Sequence, residues 1–179
     1  HERLHAALRR RRARARHLTR SHPGPAGRRV HGRHRPRTFL AVHLAQLNVA
    51  RLRHPVDHAE TAEFTRALEP INLLADLAPG FVWRLKGPEG QDDATDVRLP
   101  GDEDPLLIVN LTVWEDVESL RHFAYRSGHA MYVRRKRDWF VPMAEEQTVL
   151  WWVPEGHLPT MEEAGERLER LRTKGPTAA

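Results

Sequence analysis

Four short stretches of the chain show the apolar patterns of strands with a buried face. In the first and third of them, one face is built from aliphatic residues. The other face also carries polar groups and an indole, at Gln46, Asn48, Asn110, Thr112 and Trp114. The predicted strands are HLAQLNVARL (43–52), FVWRL (81–85), LLIVNLTVW (106–114) and TVLWWVP (148–154).

Apolar residues recur at helical spacing over residues 58–78, where Asp57 precedes the pattern as a capping residue would. Pro70 predicts a kink or a break inside this helix. A second helix is predicted from Asp116 onward. A third is predicted over residues 160–172, because Thr-Met-Glu-Glu at its start is a capping box.

The predicted elements follow the order strand, helix, strand, strand, helix, strand, with one further C-terminal helix. This order predicts an α+β domain with the ferredoxin-like βαββαβ arrangement. Helices cover one face of such a sheet, so we expect the aliphatic rows to face them. The face with Asn110 and Trp114 then has no cover within the chain. We therefore expect a homodimer, packed sheet against sheet around a cavity.

The excess positive charge of the chain is concentrated in its first 40 residues. That segment holds 13 Arg, no Lys and one acid, so the other 139 residues hold 16 basic and 23 acidic groups. An acidic body excludes the basic surface that binds nucleic acid. We interpret residues 1–41 as disordered, because they lack the apolar surface that would offset the entropy of ordering.

The origin of the Arg-rich segment has two explanations. We favour upstream sequence translated in frame, with the start of the protein at Val42 and the folded domain at 42–179. The alternative is a native arm that binds nucleic acid or a membrane surface, or a transit peptide. No apolar run in the sequence is long enough to span a membrane.

The chain contains no cysteine, which excludes disulfides and thiolate chemistry and fits a cytoplasmic location. His54 and His58 have a spacing that metal ligands can use, but they lie in a proline-containing turn without an evident third ligand. We therefore expect no metal site. The sequence also lacks a phosphate-binding loop and a dinucleotide fingerprint.

The stretch FAYRSGHAMYVRRKRDWF (123–140) brings aromatic, imidazole and cationic side chains together on the second helix. Helical spacing places Ala124 and Met131 toward the sheet, and Tyr125 and His129 together on another stripe. A helix break at Gly128 would split that stripe. The cationic run at 134–137 is interpreted as a solvated face.

A neutral His129 beside the phenol of Tyr125 is a candidate general base for an acidic substrate. The alternative is that both rings cover the edge of the helix or the dimer seam. His129 is also the residue that would hold a haem iron, if the protein binds haem rather than acting without a cofactor.

The tryptophans indicate an aromatic wall beside the cavity. Trp151 and Trp152 are neighbours on one strand, so their side chains point to opposite faces and one reaches the cavity side. Such a wall suits a flat apolar ligand. A buried Asn110 amide needs partners, which a ligand or loop backbone would supply. The predicted ligand-binding residues are Gln46, Asn48, Trp83, Asn110, Thr112, Trp114 and Trp152.

Five segments of the chain resemble the bacterial DUF3291 family, a domain of unknown function. They are HLAQLNVARL, PGFVWRL, LIVNLTVWEDVESLRHFAYRSGH, RRKRDWFVPM and LWWVPEGHLPTMEEAGERLERLRTKGPT, and they cover nearly all of residues 43–177. The resemblance implies a dimeric α/β barrel, in a superfamily that also holds antibiotic-biosynthesis-type monooxygenases. Family members begin near His43 and extend beyond the GPT motif, so we expect residues 1–41 to be extraneous and Ala179 to be a truncation point.

Three classes of function remain open on the sequence. We favour a cofactor-independent small-molecule enzyme of oxygenase or isomerase type. The alternatives are a non-catalytic binding or accessory protein and a haem protein. A pocket with few titratable groups serves the first two equally well. The expected partners are a second copy of the chain and a small apolar or aromatic ligand, with neither nucleic acid nor membrane.

Overall fold

The computed structural model describes residues 41–177, which form a mixed α/β fold around a five-stranded antiparallel sheet. The strands are β1 (Val42–Leu52), β2 (Phe81–Arg84), β3 (Leu107–Trp114), β4 (Phe140–Val141) and β5 (Thr148–Pro154). The α-helices are α1 (Ala62–Asp76), α2 (Val117–Arg126), α3 (His129–Arg135) and α4 (Met161–Lys174). The segment 1–41, which we interpret from the sequence as disordered, lies outside these residues except for Ala41.

The strand order confirms the predicted ferredoxin-like topology. β1 lies at the centre, with β3 on one side and β5 on the other, and β2 forms the edge beyond β3. The short strand β4, which the sequence patterns did not predict, extends the sheet beside the last two residues of β1. The antiparallel pairing of β1 with β3 is the longest in the sheet, running from Leu44–Trp114 to Arg51–Leu107.

The aliphatic face of the sheet is covered by α4 and by the segment before β3, rather than by α1 and α2. Leu47, Leu111 and Val153 are buried on this face together with Ala164 and Leu168 of α4. Val97 and Leu99 pack against the same cluster. The expectation that the two crossover helices cover the aliphatic rows was therefore wrong.

The opposite face, which we call the helix-side face, carries α1 and α2. Leu44 and Trp114 of the sheet pack there with Ala75 of α1 and with Leu120 and Phe123 of α2. This polar-containing face is thus covered in part by the chain itself. The apolar pair Leu44 and Trp114 lies at one end of this face, where the helices contact it.

Two helix boundaries differ from the predictions. Asp57 does not cap the first helix; the His58 side chain caps a short 3-10 turn at Ala59–Thr61, and α1 then runs through Pro70 to Asp76 without a break. The second predicted helix ends at Arg126, because Ser127 adopts an extended conformation, and α3 begins at His129. No helix within residues 41–177 combines the length and apolar character needed to cross a bilayer.

Arg84 is a buried charge that ties α1 and a loop to the sheet. Its side chain is 5% exposed and contacts the carboxylates of Asp76 at 2.8 Å and Asp92 at 2.5 Å. Burial lowers the pKa of Arg84, but both carboxylates outweigh this and raise it. A buried guanidinium needs such partners, since an unpaired buried charge is strongly unfavourable.

We predict that Asp76→Asn lowers the free energy of unfolding by about 1–3 kcal/mol, because Arg84 loses one of its two charged partners. Glu69→Gln, an exposed change on the same helix, should stay within about 0.5 kcal/mol of the wild type. Urea midpoints of the two variants measure the difference. Equal midpoints would show that Asp76 does not stabilise Arg84.

Glu163 anchors the start of α4. Its carboxylate accepts hydrogen bonds from Trp151 Nε1 at 2.9 Å and lies 2.7 Å from His157 Nε2, while Thr160 Oγ1 accepts from its backbone N–H. Burial raises the pKa of the Glu163 carboxyl, but the hydrogen bonds from His157 and Trp151 more than offset this, so its pKa lies below the ordinary value of 4.5.

A carboxyl whose pKa is lowered by folding stabilises the protein above its unfolded pKa and loses that contribution as pH falls through the folded value. We therefore predict that the wild type loses stability more steeply than Glu163→Gln as pH falls below about 4.5. Thermal unfolding of both proteins between pH 7 and pH 3 tests this. Parallel curves would contradict it.

Candidate functional site

The register of the sheet arranges the helix-side face in rows. Leu44 pairs with Trp114 and with Trp152, which makes the row beneath the helices. In the next row Thr112 of β3 lies between Arg84 of β2 and Gln46 of β1. Six of the seven predicted ligand-binding residues lie on this face: Gln46, Asn48, Asn110, Thr112, Trp114 and Trp152.

A buried chain of hydrogen bonds joins three of these residues. Trp114 Nε1 donates to Thr112 Oγ1 at 2.9 Å, and the Thr112 hydroxyl donates to Gln46 Oε1 at 3.2 Å. Trp114 is fully buried and Thr112 is 6% exposed. This bond uses the carbonyl oxygen of Gln46 and not its two amide N–H donors.

An aromatic series leads from this chain into the helices. Phe81 meets Trp114 edge to face at 5.2 Å, and Trp114 lies 5.2 Å from Phe123 of α2. The imidazole of His129 stacks on Phe123 at 4.9 Å with an interplanar angle of 17°. His129 thus belongs to the same cluster as Trp114, through a phenylalanine that the sequence analysis did not select.

The helix break positions His129. Ser127 Oγ donates to the carbonyl of Phe123 at 2.6 Å and accepts the backbone N–H of His129 at 3.1 Å. The ring is therefore held over Phe123 at the first turn of α3. A single uninterrupted helix would carry His129 on the stripe of Tyr125 instead.

The environment of His129 keeps its imidazole neutral. Burial lowers the pKa of His129 below its ordinary value of 6.5, and a contact with the backbone of Ala124 opposes this only in part. Its Nδ1 atom is buried and has no hydrogen-bond partner among residues 41–177. A buried imidazole nitrogen without a partner is uncommon and can accept or donate one further hydrogen bond.

Part of the helix-side face remains open. Asn110 is exposed on β3, and opposite it Asn48 accepts a hydrogen bond from the hydroxyl of Thr148 at 2.8 Å. Leu150 and Trp152 of β5 border this polar strip and are 48% and 47% exposed. Trp152 reaches this side and Trp151 is buried on the other, as predicted. The exposed Asn110 amide does not have the buried environment that was expected for it.

Two predicted site residues and one predicted packing residue lie elsewhere. A β-bulge between Phe81 and Trp83 shifts the register, so Trp83 pairs with Val113 and packs on the aliphatic face. Tyr125 is 67% exposed in the last turn of α2, whereas the ring of His129 stacks on Phe123. Met131 is also exposed, which contradicts its predicted packing on the sheet.

Two groups in this region were missed by sequence reasoning. Phe123 has the helical spacing of a core residue, which gave no reason to connect it with His129. Arg84 had a detectable signal, because a charge inside the apolar strand FVWRL needs a partner. Its register position beside Thr112 makes it the charged group of the site.

Two open surface grooves are lined by residues other than His129 and Trp114. One, of about 450 Å³, follows β2 and includes Asp76 and residues 81–86. The other, of about 800 Å³, lies between residues 99–102 and α4.

The turn after β1 contains a third potential metal ligand, which the sequence analysis did not identify. The ligand atoms of His54, His58 and Glu60 all lie within 4.8 Å of one another. The expectation that the two histidines have no third ligand nearby was wrong.

Several solved structures are similar to this chain. The cofactor-independent oxygenase SnoaB from Streptomyces nogalater is 15% identical with a TM-score of 0.42, covering 66% of this chain and 97% of SnoaB. PA3566 from Pseudomonas aeruginosa is 13% identical with a TM-score of 0.40, covering 65% of this chain and 96% of that one. Similarity at this level is too low to transfer an activity or a residue role.

A conserved protein from Methanosarcina mazei Go1 shows the same level of similarity, with 12% identity and a TM-score of 0.40 over 64% of this chain and 93% of its own. No curated protein matches the chain. Residues 43–179 match the family DUF3291, described as a domain of unknown function. The match covers most of the chain, so the protein belongs to the DUF3291 family.

Proposed function

We propose that the helix-side face binds a small, flat, largely apolar molecule with an acidic hydroxyl group and that His129 removes the proton. The observation that carries this proposal is the state of His129, whose half-buried ring is stacked on Phe123 and has a pKa lowered by burial. A neutral imidazole that is not wholly enclosed has the chemistry of a general base near pH 7.

The residues around His129 suit such a molecule. Trp152, which is 47% exposed on the same sheet face, provides aromatic surface for a flat ring, and the packed series of Phe81, Trp114 and Phe123 supports this end of the face. The amide N–H groups of Gln46 and the exposed amide of Asn110 provide hydrogen-bond donors on the same sheet face. Donors that reach the oxygen of the substrate would stabilise the negative charge that proton removal creates there.

The anion has two outcomes. In one, it transfers an electron to dioxygen, and the resulting radical and superoxide combine through a new C–O bond to a hydroperoxide that takes the proton from His129. In the other, a carbon of the anion takes that proton instead of the oxygen, which converts the enol to its keto isomer. Neither reaction needs a group other than the substrate, oxygen and the protein. Outside the Arg84 ion pairs, the described part of the site contains few titratable side chains. This favours a reaction that depends on the reactivity of the substrate rather than on several catalytic groups of the protein.

The exposed part of the site favours a second copy of the chain as its cover. Leu150 and Trp152 are large apolar residues that stand half exposed beside Asn110. Contact of this strip with its equivalent in a second chain would bury both tryptophans and exclude water from the polar strip. We propose an isologous dimer of the dimeric α/β-barrel type on this basis.

We predict that His129→Phe reduces turnover at least about 100-fold, the usual loss when a general base is removed, while keeping the stack on Phe123. Oxygen uptake is measured with a panel of polycyclic phenols and no added cofactor. Isomerisation of the same compounds is followed by absorbance. His122→Phe, on exposed α2 surface, is the control and should retain full activity.

The pH dependence of turnover tests whether His129 acts as a neutral base. Since burial lowers the pKa of His129 below 6.5, wild-type turnover should be constant near pH 7 and fall only as pH drops through that lowered value. Turnover of His129→Phe equal to that of wild type would refute the proposed role. Phenol binding without turnover in either protein would instead favour the non-catalytic binding protein.

We predict that the wild type is a dimer of 20.7 kDa chains and that Leu150→Lys makes it monomeric at micromolar concentration. A lysine at the centre of an apolar interface is unfavourable because its charge would be desolvated. Leu77→Lys, at a 75% exposed position at the end of α1, is the matched control. Light scattering measures both, and a monomeric wild type would contradict the prediction.

A further inference from the structure

We propose that His54, His58 and Glu60 form a binding site for a zinc ion or a similar transition-metal ion in the turn after β1. The site lies beyond Leu52, at the opposite end of β1 from Leu44 and the aromatic cluster. It is therefore separate from the proposed proton-abstraction site, and the two proposals stand or fall independently.

The three side chains already lie at distances suited to one ion. His54 Nε2 is 3.1 Å from Glu60 Oε2, close to the roughly 3.3 Å that separates two ligands of a tetrahedral zinc at ordinary bond lengths. The rings of His54 and His58 lie 4.4 Å apart. All three ligand atoms are within 4.8 Å of one another, and a side-chain rotation that unstacks the two nearly parallel rings would bring them to one centre.

The backbone of the turn holds the ligands in place. The Thr61 hydroxyl donates to the carbonyl of His54 at 3.3 Å, and Thr61 itself is 3% exposed. The His58 N–H donates to the carbonyl of Pro55 at 3.0 Å, and the Thr61 N–H donates to the backbone carbonyl of His58 at 3.0 Å. A preorganised turn reduces the entropy that ligand ordering would cost.

The type of ion follows from the ligands. Two imidazoles and one carboxylate favour zinc, cobalt, nickel or copper over magnesium and calcium, which prefer oxygen ligands. His54 and Glu60 are open to solvent, so water would complete the coordination. The set of three protein ligands with an open position is the kind found in reactive rather than purely structural zinc sites.

Metal binding has a defined cost at His58. Its Nδ1 accepts the N–H of Glu60 at 3.2 Å and so caps the 3-10 turn. A neutral imidazole has a single nitrogen lone pair, so coordination must replace this hydrogen bond. We therefore expect moderate affinity, with binding that weakens as pH falls and protons compete for the imidazoles.

Zinc titration calorimetry on the full chain tests the proposal. His54→Ala should lower the affinity of this site by at least about tenfold, and so should His58→Asn, in which the amide oxygen can still cap the turn. Magnesium and calcium should not compete at equal concentration. His122→Ala, which removes an exposed histidine elsewhere, is the matched control.

The first 40 residues hold six further histidines, so the informative quantity is the difference between wild type and variant. One zinc-binding event should disappear in the His54→Ala, His58→Asn double variant, and cobalt absorption bands should lose the matching component. Circular dichroism without metal establishes that each variant is folded. Identical stoichiometry and affinity in wild type and double variant would overturn the proposal.

Discussion

The pairing of β1 with β3 is the constraint on which the rest of the fold depends. Its register, from Leu44 opposite Trp114 to Arg51 opposite Leu107, places aliphatic residues of both strands on one face. A slip of one residue would move every side chain to the other face and bury Gln46 and Asn48 in the aliphatic core. The register is therefore strongly selected, and it decides which groups reach the helix-side face.

The polar groups on that face are tolerated because they bond to one another. Trp114 is fully buried, and its indole N–H would be unsatisfied without the Thr112 hydroxyl. Thr112 in turn is satisfied by Gln46. A core of apolar residues would pack as well and would contain no polar group that could be left without a hydrogen-bond partner. Under the proposed function, this connected chain supplies polar groups to an otherwise apolar site.

The sequence was sufficient for most of the fold and for part of the candidate site. The strand formed by 148–154 begins and ends at the predicted residues, and Asp116 and Thr160 cap their helices as predicted. Alternation alone placed Gln46, Asn110, Thr112 and Trp114 on one face, because side chains in a regular strand follow a period of two. The connection from His129 to this face was not predictable in the same way.

What the sequence by itself determined was local: strand and helix positions, and the sorting of side chains within each regular strand. These depend on residues near one another in the chain. Only the tertiary structure decided which layer covers which face. The aliphatic rows are covered by α4, and the helix-side face is covered by α1 and α2. The tertiary structure also moved Trp83 to the other face through a bulge, and the helix break at Ser127 carried His129 onto Phe123. Each of these depends on contacts between distant segments, which periodicity does not record.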